Sequence, residues 1–390
     1  MRALLCKVLT AVATLVVIAA CADDSSTSAT SVEATSPATT AAVATGLPAV
    51  QASIDQIVAE YPTLNGVVVH VVAPGAGVDD TLVSGENAGT ALTPDATFRL
   101  ASNTKTFTAA AALRLAEQGK IDIDAPVTQC LDDALATALA ADGYRPDAIT
   151  VRQALTHTAG LFDYAQGEGS GYVDAVLAEP THRWTPLEQV QWAVDHGEPL
   201  SPPGTGFNYS DTGYVLVDSV VECASGLPMA EAYRQLLGFD RLGLGATYLE
   251  SLEPVPPTAG ARTHQFLEDV DTYSFDPSMD LYGAGGLVSS AADLAHFGRA
   301  LLRGEVFDDA ATLDTMLAEA DPDTPGAAMG LFREDIYGTT CWSHQGFWGT
   351  AVFTCPDVDL TISASVQQAA LDDVDLNAIL DAAFTLVDSN

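Results

Sequence analysis

Strand-forming segments lie at opposite ends of this chain, and any fold it adopts has to bring them together. Near the start, "GVVVHVVAP" (Gly66 to Pro74) is β-branched and strand-like, and "TLVSGEN" (Thr81 to Asn87) can pair with it. At the far end, "TAVFTCPDVDLTISASVQQ" (Thr350 to Gln368) reads as two strands around a Pro-Asp turn. Between them, roughly residues 100 to 320 carry mostly helical or loop signals. Helical spacing over "VQASIDQIVAEY" (Val50 to Tyr61) precedes the first strand, and a last helix over "LDDVDLNAILDAAFTLV" closes the chain. The expectation is a mixed α+β unit over residues 48–390: a sheet assembled from both ends with a helical region inserted between.

The first residues read differently. Arg2 and Lys7 precede the uncharged apolar run "VLTAVATLVVIAA" (Val8 to Ala20), too short to span a bilayer comfortably and suited to an export signal over residues 1–20. The run ends in "IAAC", which resembles a bacterial lipobox and implies cleavage before Cys21 with lipid on its thiol. Residues 21–47, rich in Ser, Thr and Ala and without an aromatic residue, read as a disordered tether. The expectation is an exported lipoprotein, anchored to a membrane and facing the extracytoplasmic side. Cleavage would remove two basic residues and no acidic one, taking the net charge from −37 to −39. A chain with 15 basic and 52 acidic residues repels nucleic acid and anionic lipid headgroups, so neither is an expected partner.

Lysine is almost absent: only Lys7, Lys105 and Lys120 occur. Lys105 lies in "SNTKTFTAAAALRLAEQG" (Ser102 to Gly119), a helix signal with Ser102 at the cap end, Gly119 at the C′ position and apolar residues on nearly every face. Ser102 and Lys105, at i and i+3, share a helical face. A serine hydroxyl needs an adjacent base, and a desolvated lysine can become one. "PGTGFNYSDTGYVLV" (Pro203 to Val217) adds Tyr209 and Asp211 in a loop before an apolar helix, and "WSHQGFWG" (Trp342 to Gly349) adds His344 and Gly346 on a strand. Tyrosine and histidine can both transfer protons. Serine, lysine, tyrosine and histidine in this order look like parts of one site.

Taken together, these motifs resemble the serine β-lactamase and penicillin-binding-protein superfamily. The branch they most resemble holds class C β-lactamases, D-alanyl-D-alanine carboxypeptidases and related esterases. "FRLASNTK", "TVRQALTHTAGL" (Thr150 to Leu161) and "YGAGGLVSSAADLAHFGRALL" (Tyr282 to Leu302) add to a resemblance that covers roughly residues 50 to 385. It implies an antiparallel sheet flanked by helices, a helical subdomain, and an active site in the cleft between them. It also implies Ser102 as acylated nucleophile, Lys105 as its proton partner and Tyr209 as relay to the leaving group. His344 would help hold a substrate carboxylate, and the N–H groups of Ser102 and Phe347 would bind the oxyanion. Gly346 and Asp211 would complete the substrate-binding set. No cofactor is implied.

Asp211 departs from the family's usual asparagine, since an ionised aspartate accepts but does not donate. An anion near Lys105 favours the ammonium, and Tyr209 as a transient phenolate is the expected base. The substrate would be a peptidoglycan stem peptide or other D-amino-acid peptide, an ester or a β-lactam, handled by a monomer. A degenerate relative that binds cell-wall peptide without turnover is the alternative. Of the four cysteines beyond Cys21, Cys341 and Cys355 bracket a hairpin-like stretch and could pair across two strands, which would leave Cys130 with Cys223; sequence alone allows three pairings. His157 reads as structural, and His70, His182, His196, His264 and His296 show no spacing of a metal site.

Overall fold

Seven consecutive buried residues, Val67–Ala73, form the strand on which the sheet is built. A strand covered on both faces needs no polar alternation, which is why this segment is almost uniformly β-branched. The computed structural model describes residues 46–61, 63–369 and 376–387. Residues 1–45 lie outside that range, and with them the export signal, Cys21 and nearly all of the tether.

Six strands form one antiparallel sheet: β1 (Val67–Ala73), β2 (Val78–Ser84), β3 (Phe332–Ile336), β4 (Thr339–Gly346), β5 (Thr350–Cys355) and β6 (Leu360–Ser365), in the spatial order β3-β4-β5-β6-β1-β2. The two ends of the chain meet where β6 lies against β1, with Val68 opposite Ser365 and Val72 opposite Thr361. The join expected from the sequence is therefore the seam between a strand near the start and the last strand.

Helices α1 (Leu47–Glu60) and α5 (Asn377–Phe384) cover one face of the sheet. Val50, Ile54 and Ile57 of α1 pack with Val69, Val71, Phe353, Ile362, Ile379 and Phe384 in one core. Gly46 N–H donates to Thr385 Oγ1 at 3.1 Å, so the ends of the described domain touch. On the other face lie α4 (Ala291–Leu302) and the helical region, which includes α2 (Thr104–Glu117) and α3 (Asp211–Ser225).

The middle of the chain is less purely helical than its sequence suggests. Short strands at Thr97–Arg99, Tyr248–Leu249 and Leu287–Ser290 form a second antiparallel sheet, with the last in the centre. Their length explains the miss, because two to four residues carry no measurable alternation. Disulfides tie Cys341 of β4 to Cys355 of β5, and Cys130 to Cys223 of α3, with Cα–Cα distances of 4.1 and 5.7 Å. Among the described residues no helix is long and apolar enough to cross a membrane.

Candidate active site

The strand Thr97–Arg99 delivers the chain to Ala101, whose φ of 47° is costly for a residue with a Cβ. Ser102 follows in a single 3-10 turn, Ala101–Asn103, before α2 begins at Thr104. Its side chain caps nothing, contrary to the cap position read from the sequence. The tight turn keeps the hydroxyl out of the helix end and leaves it free to meet Lys105. Gly119, in left-handed conformation, does end the helix as expected.

Lys105 is fully buried, and its Nζ donates to Ser102 Oγ at 2.9 Å and to the carbonyl oxygen of Ala284 at 2.9 Å. Asp211 Oδ1 lies 2.6 Å from the same nitrogen. Burial alone would push the lysine pKa down, but Asp211 and Tyr209 outweigh it and raise it above the usual range. Lys105 therefore rests as an ammonium. Ala284 is placed by the "GAGG" turn, in which Gly283 has φ 84° and a Cβ would lie 2.6 Å from the carbonyl oxygen of Tyr214.

Tyr209 stands beside Lys105, whose Nζ lies 5.1 Å from the centre of its ring. Burial pushes its pKa up to about 12 although Lys105 pulls the other way, so the resting group is a phenol and not a phenolate. Its ring stacks on His157 at 4.2 Å, and His157 Nδ1 accepts the N–H of Ser210 at 3.0 Å. That contact holds the loop carrying Tyr209, so His157 works as a support, as its sequence context suggested. Burial, then Lys105 and His344, hold the His157 pKa well below its ordinary value.

His344 stands on β4 and is buried. Its Nδ1 lies 2.7 Å from the carbonyl oxygen of Gln345 and donates to it, leaving Nε2 an acceptor without a protein partner. Burial and the Lys105 charge lower its pKa to about 3. A neutral imidazole with this tautomer does not supply a cation, so the carboxylate-holding role implied by the resemblance is not supported by its electrostatics. Gly346 ends β4 against the nucleophile's turn: a Cβ there would lie 2.2 Å from the carbonyl oxygen of Leu100. Thr350 Oγ1 donates to that same oxygen at 2.9 Å, and Asn103 Nδ2 donates to Thr350 Oγ1 at 2.9 Å.

A cleft of about 600 Å³ opens on Ser102. Its walls are apolar, among them Val173, Leu177, Phe275, Met279, Phe347 and Trp348, and among the described residues its charged lining consists of Asp211 and Asp280. Segments within 163–180 and 250–280 supply much of this wall.

Two acids escaped the sequence reading. Asp163 Oδ1 accepts the N–H of Asp211 at 3.3 Å and of Ala165 at 3.0 Å. Burial first, and Asp211 second, push its pKa up to about 8, so it holds a proton at neutral pH. Asp280 Oδ2 accepts the indole N–H of Trp348 at 3.1 Å, and burial lifts its pKa to about 6 against the pull of Arg99. Neither acid stands in a motif; only tertiary structure brings Asp163 against Asp211 and Asp280 into the cleft wall.

A separate cluster gathers two of the scattered histidines. His70 Nε2 and His296 Nε2 converge on Asp79 Oδ1 at 2.9 and 3.0 Å, one from β1 and one from α4. Residues so far apart in sequence leave no ligand spacing to find. Hydrogen bonds account for all of these contacts.

Comparison with known proteins places this geometry. The profile of the beta-lactamase family matches residues 54–385. Esterase EstB of Burkholderia gladioli is 35% identical over 175 residues, which cover 43% of this chain and 42% of the esterase. Penicillin-binding protein 4 of Amycolatopsis lactamdurans is 31% identical over 157 residues, covering 40% of this chain and 37% of that protein. The chain thus matches less than half the length of either relative. Among solved structures, a D-stereospecific amidohydrolase from Streptomyces sp. superposes with a TM-score of 0.72 at 27% identity, covering 86% of this chain and 98% of that one. A D-amino acid amidase from Ochrobactrum anthropi superposes equally well at 23% identity, which speaks for the fold alone. With a match spanning most of its length, the chain belongs to the beta-lactamase family, within the superfamily of serine β-lactamases and penicillin-binding proteins.

Proposed function

We propose that this chain is a hydrolase that works through an acyl-enzyme on Ser102, with amides or peptides of apolar D-amino acids as its substrates. One observation carries the mechanism: Lys105 Nζ, wholly buried, lies 2.9 Å from Ser102 Oγ and 2.6 Å from Asp211 Oδ1. Ser102 Oγ attacks the carbonyl carbon, its proton passes to Lys105, and Lys105 hands its own proton to Asp211. With Lys105 wholly buried, the neutral lysine–carboxylic acid pair competes with the ion pair, because the ammonium loses its hydration. Asp211 is then the proton sink, in the role the sequence assigned to Tyr209 as a transient phenolate. As the tetrahedral intermediate collapses, the Tyr209 phenol protonates the leaving nitrogen. Lys105 restores the phenol and Asp211 restores Lys105. Water repeats the path in reverse roles to release the acid. The N–H groups of Ser102 and Phe347 serve the oxyanion, and Gly346 lets the strand end approach them.

The D-amino-acid reading draws on the likeness to the Streptomyces amidohydrolase, and the apolar acyl group on the cleft wall. A carboxypeptidase for D-alanyl-D-alanine termini is the weaker reading, because among the described residues no cation lines the cleft for a substrate carboxylate. The same reading places the enzyme outside the cytoplasm, tethered by lipid on Cys21, as the sequence of residues 1–47 suggests. A fluorophosphonate probe tests the mechanism: label that survives denaturation, maps to Ser102 and vanishes in Ser102→Ala is the expected result. Absence of label on folded protein overturns it.

A further inference from the structure

Asp280 is a carboxylate with a job left over. One of its oxygens, Oδ2, receives the Trp348 indole N–H at 3.1 Å, while the residue lines the cleft that opens on Ser102. The remaining charge of the cleft is already balanced. Asp211 is paired with Lys105, and Asp163, packed behind Asp211, keeps its proton. Arg99, whose charge reaches Asp280, is turned away: its Nε donates to Glu250 at 2.7 Å, a carboxylate it shares with Arg262, and its two terminal nitrogens to the carbonyl oxygens of Thr272 and Phe275. Asp280 is therefore a cleft carboxylate that no cation among the described residues touches directly, in an otherwise apolar cavity where a carboxylate-bearing substrate is repelled and an ammonium is attracted.

We propose that Asp280 binds the free ammonium of the substrate, so that the enzyme acts on unblocked apolar amino-acid amides and peptides from their amino end. The proposal rests on the hydrolase reading for its chemistry, since an ammonium beside the scissile carbonyl is what a carboxylate lining the same cleft as Ser102 would hold. The acid titrates in a useful range. Burial sets its pKa to about 6, with Arg99 and the Trp348 indole opposing and Asp211 and Glu250 adding to the rise. Selectivity for the cation is present above that pH and lost below it.

Binding and turnover can be tested apart. In the Ser102→Ala protein, which cannot be acylated, D-phenylalanine amide should bind about ten- to a hundredfold tighter than its N-acetyl derivative at pH 7.5 by calorimetry, the range of one charge-assisted hydrogen bond. Adding Asp280→Asn, which keeps an oxygen for the Trp348 N–H, should collapse that ratio to near one. The ratio should also fall toward one at pH 5 in the protein that retains Asp280. Equal binding of the two amides, or a ratio untouched by Asp280→Asn, overturns the proposal. Fluorophosphonate labelling of the wild type, scored separately, reports failure of the hydrolase reading instead.

Discussion

The ammonium of Lys105 and the carboxylate of Asp211 form an ion pair, 2.6 Å apart, with the lysine wholly excluded from water. Lys105 reaches it from the first turn of α2 and Asp211 from the first turn of α3. The carboxylate gains from the positive end of its own helix, and the ammonium from the Ala284 carbonyl. A pair held so firmly is a stability element as well as a proton store.

Removing one partner should therefore be worse than removing both. Asp211→Ala strands a buried ammonium and is expected to cost about 3–5 kcal/mol, whereas Lys105→Met combined with Asp211→Leu should recover most of the loss. Urea denaturation of the two proteins measures the difference. A double variant no more stable than the single one contradicts the pairing.

The same pair governs pH dependence of the reaction. With Asp211 as sink, the wild-type enzyme needs no net loss of a proton from the pair before attack. In Asp211→Asn the lysine must first release its proton to solvent. That variant should lose about 10²-fold in kcat/KM at neutral pH and recover as pH rises. Profiles measured on one ester substrate decide the matter, and parallel curves for the two enzymes rule out the sink.

Asp163 makes a separate linkage prediction. Its folded pKa, raised by burial and then by Asp211 to about 8, exceeds the unfolded value of about 4. The stability it contributes is fully present below the unfolded pKa and is lost as pH climbs through the folded one. Relative to Asp163→Asn, the wild type should weaken steadily between about pH 4 and 8, by at most about 1.4 kcal/mol per unit. Chemical denaturation across that interval is the check; a constant gap between the two proteins would be the contrary outcome.

The two disulfides should contribute unequally. Cys130–Cys223 closes a separation of 93 residues and Cys341–Cys355 one of 14. Loop-closure entropy puts their removal at about 4.6 and about 3 kcal/mol, respectively. Paired Cys→Ala variants compared by denaturant midpoint and slope give the order directly.

Much of this architecture is legible in the sequence. The segments around Val67, Thr350 and Thr361 announce their strands because both faces of the sheet are covered. Ser102 and Lys105 share a helix face at fixed spacing, so their contact follows from local geometry. What stayed hidden depends on long-range placement. Asp280 and Asp163 carry no spacing signal, and their charge states come from burial that only the folded cleft creates. His344 shows the same limit from the other side: its position was legible, but its neutrality follows from desolvation beside Lys105.

Gly46 and Thr385 touch on the face of the sheet covered by α1 and α5, while Ser102 belongs to the opposite side. Anything joined to the domain at either end is thus hung from one mooring, with the whole thickness of the sheet between that point and the mouth of the cleft. The domain could be spliced into another chain at that spot, or suspended from either end alone, and still present its cleft to whatever lies on the far side.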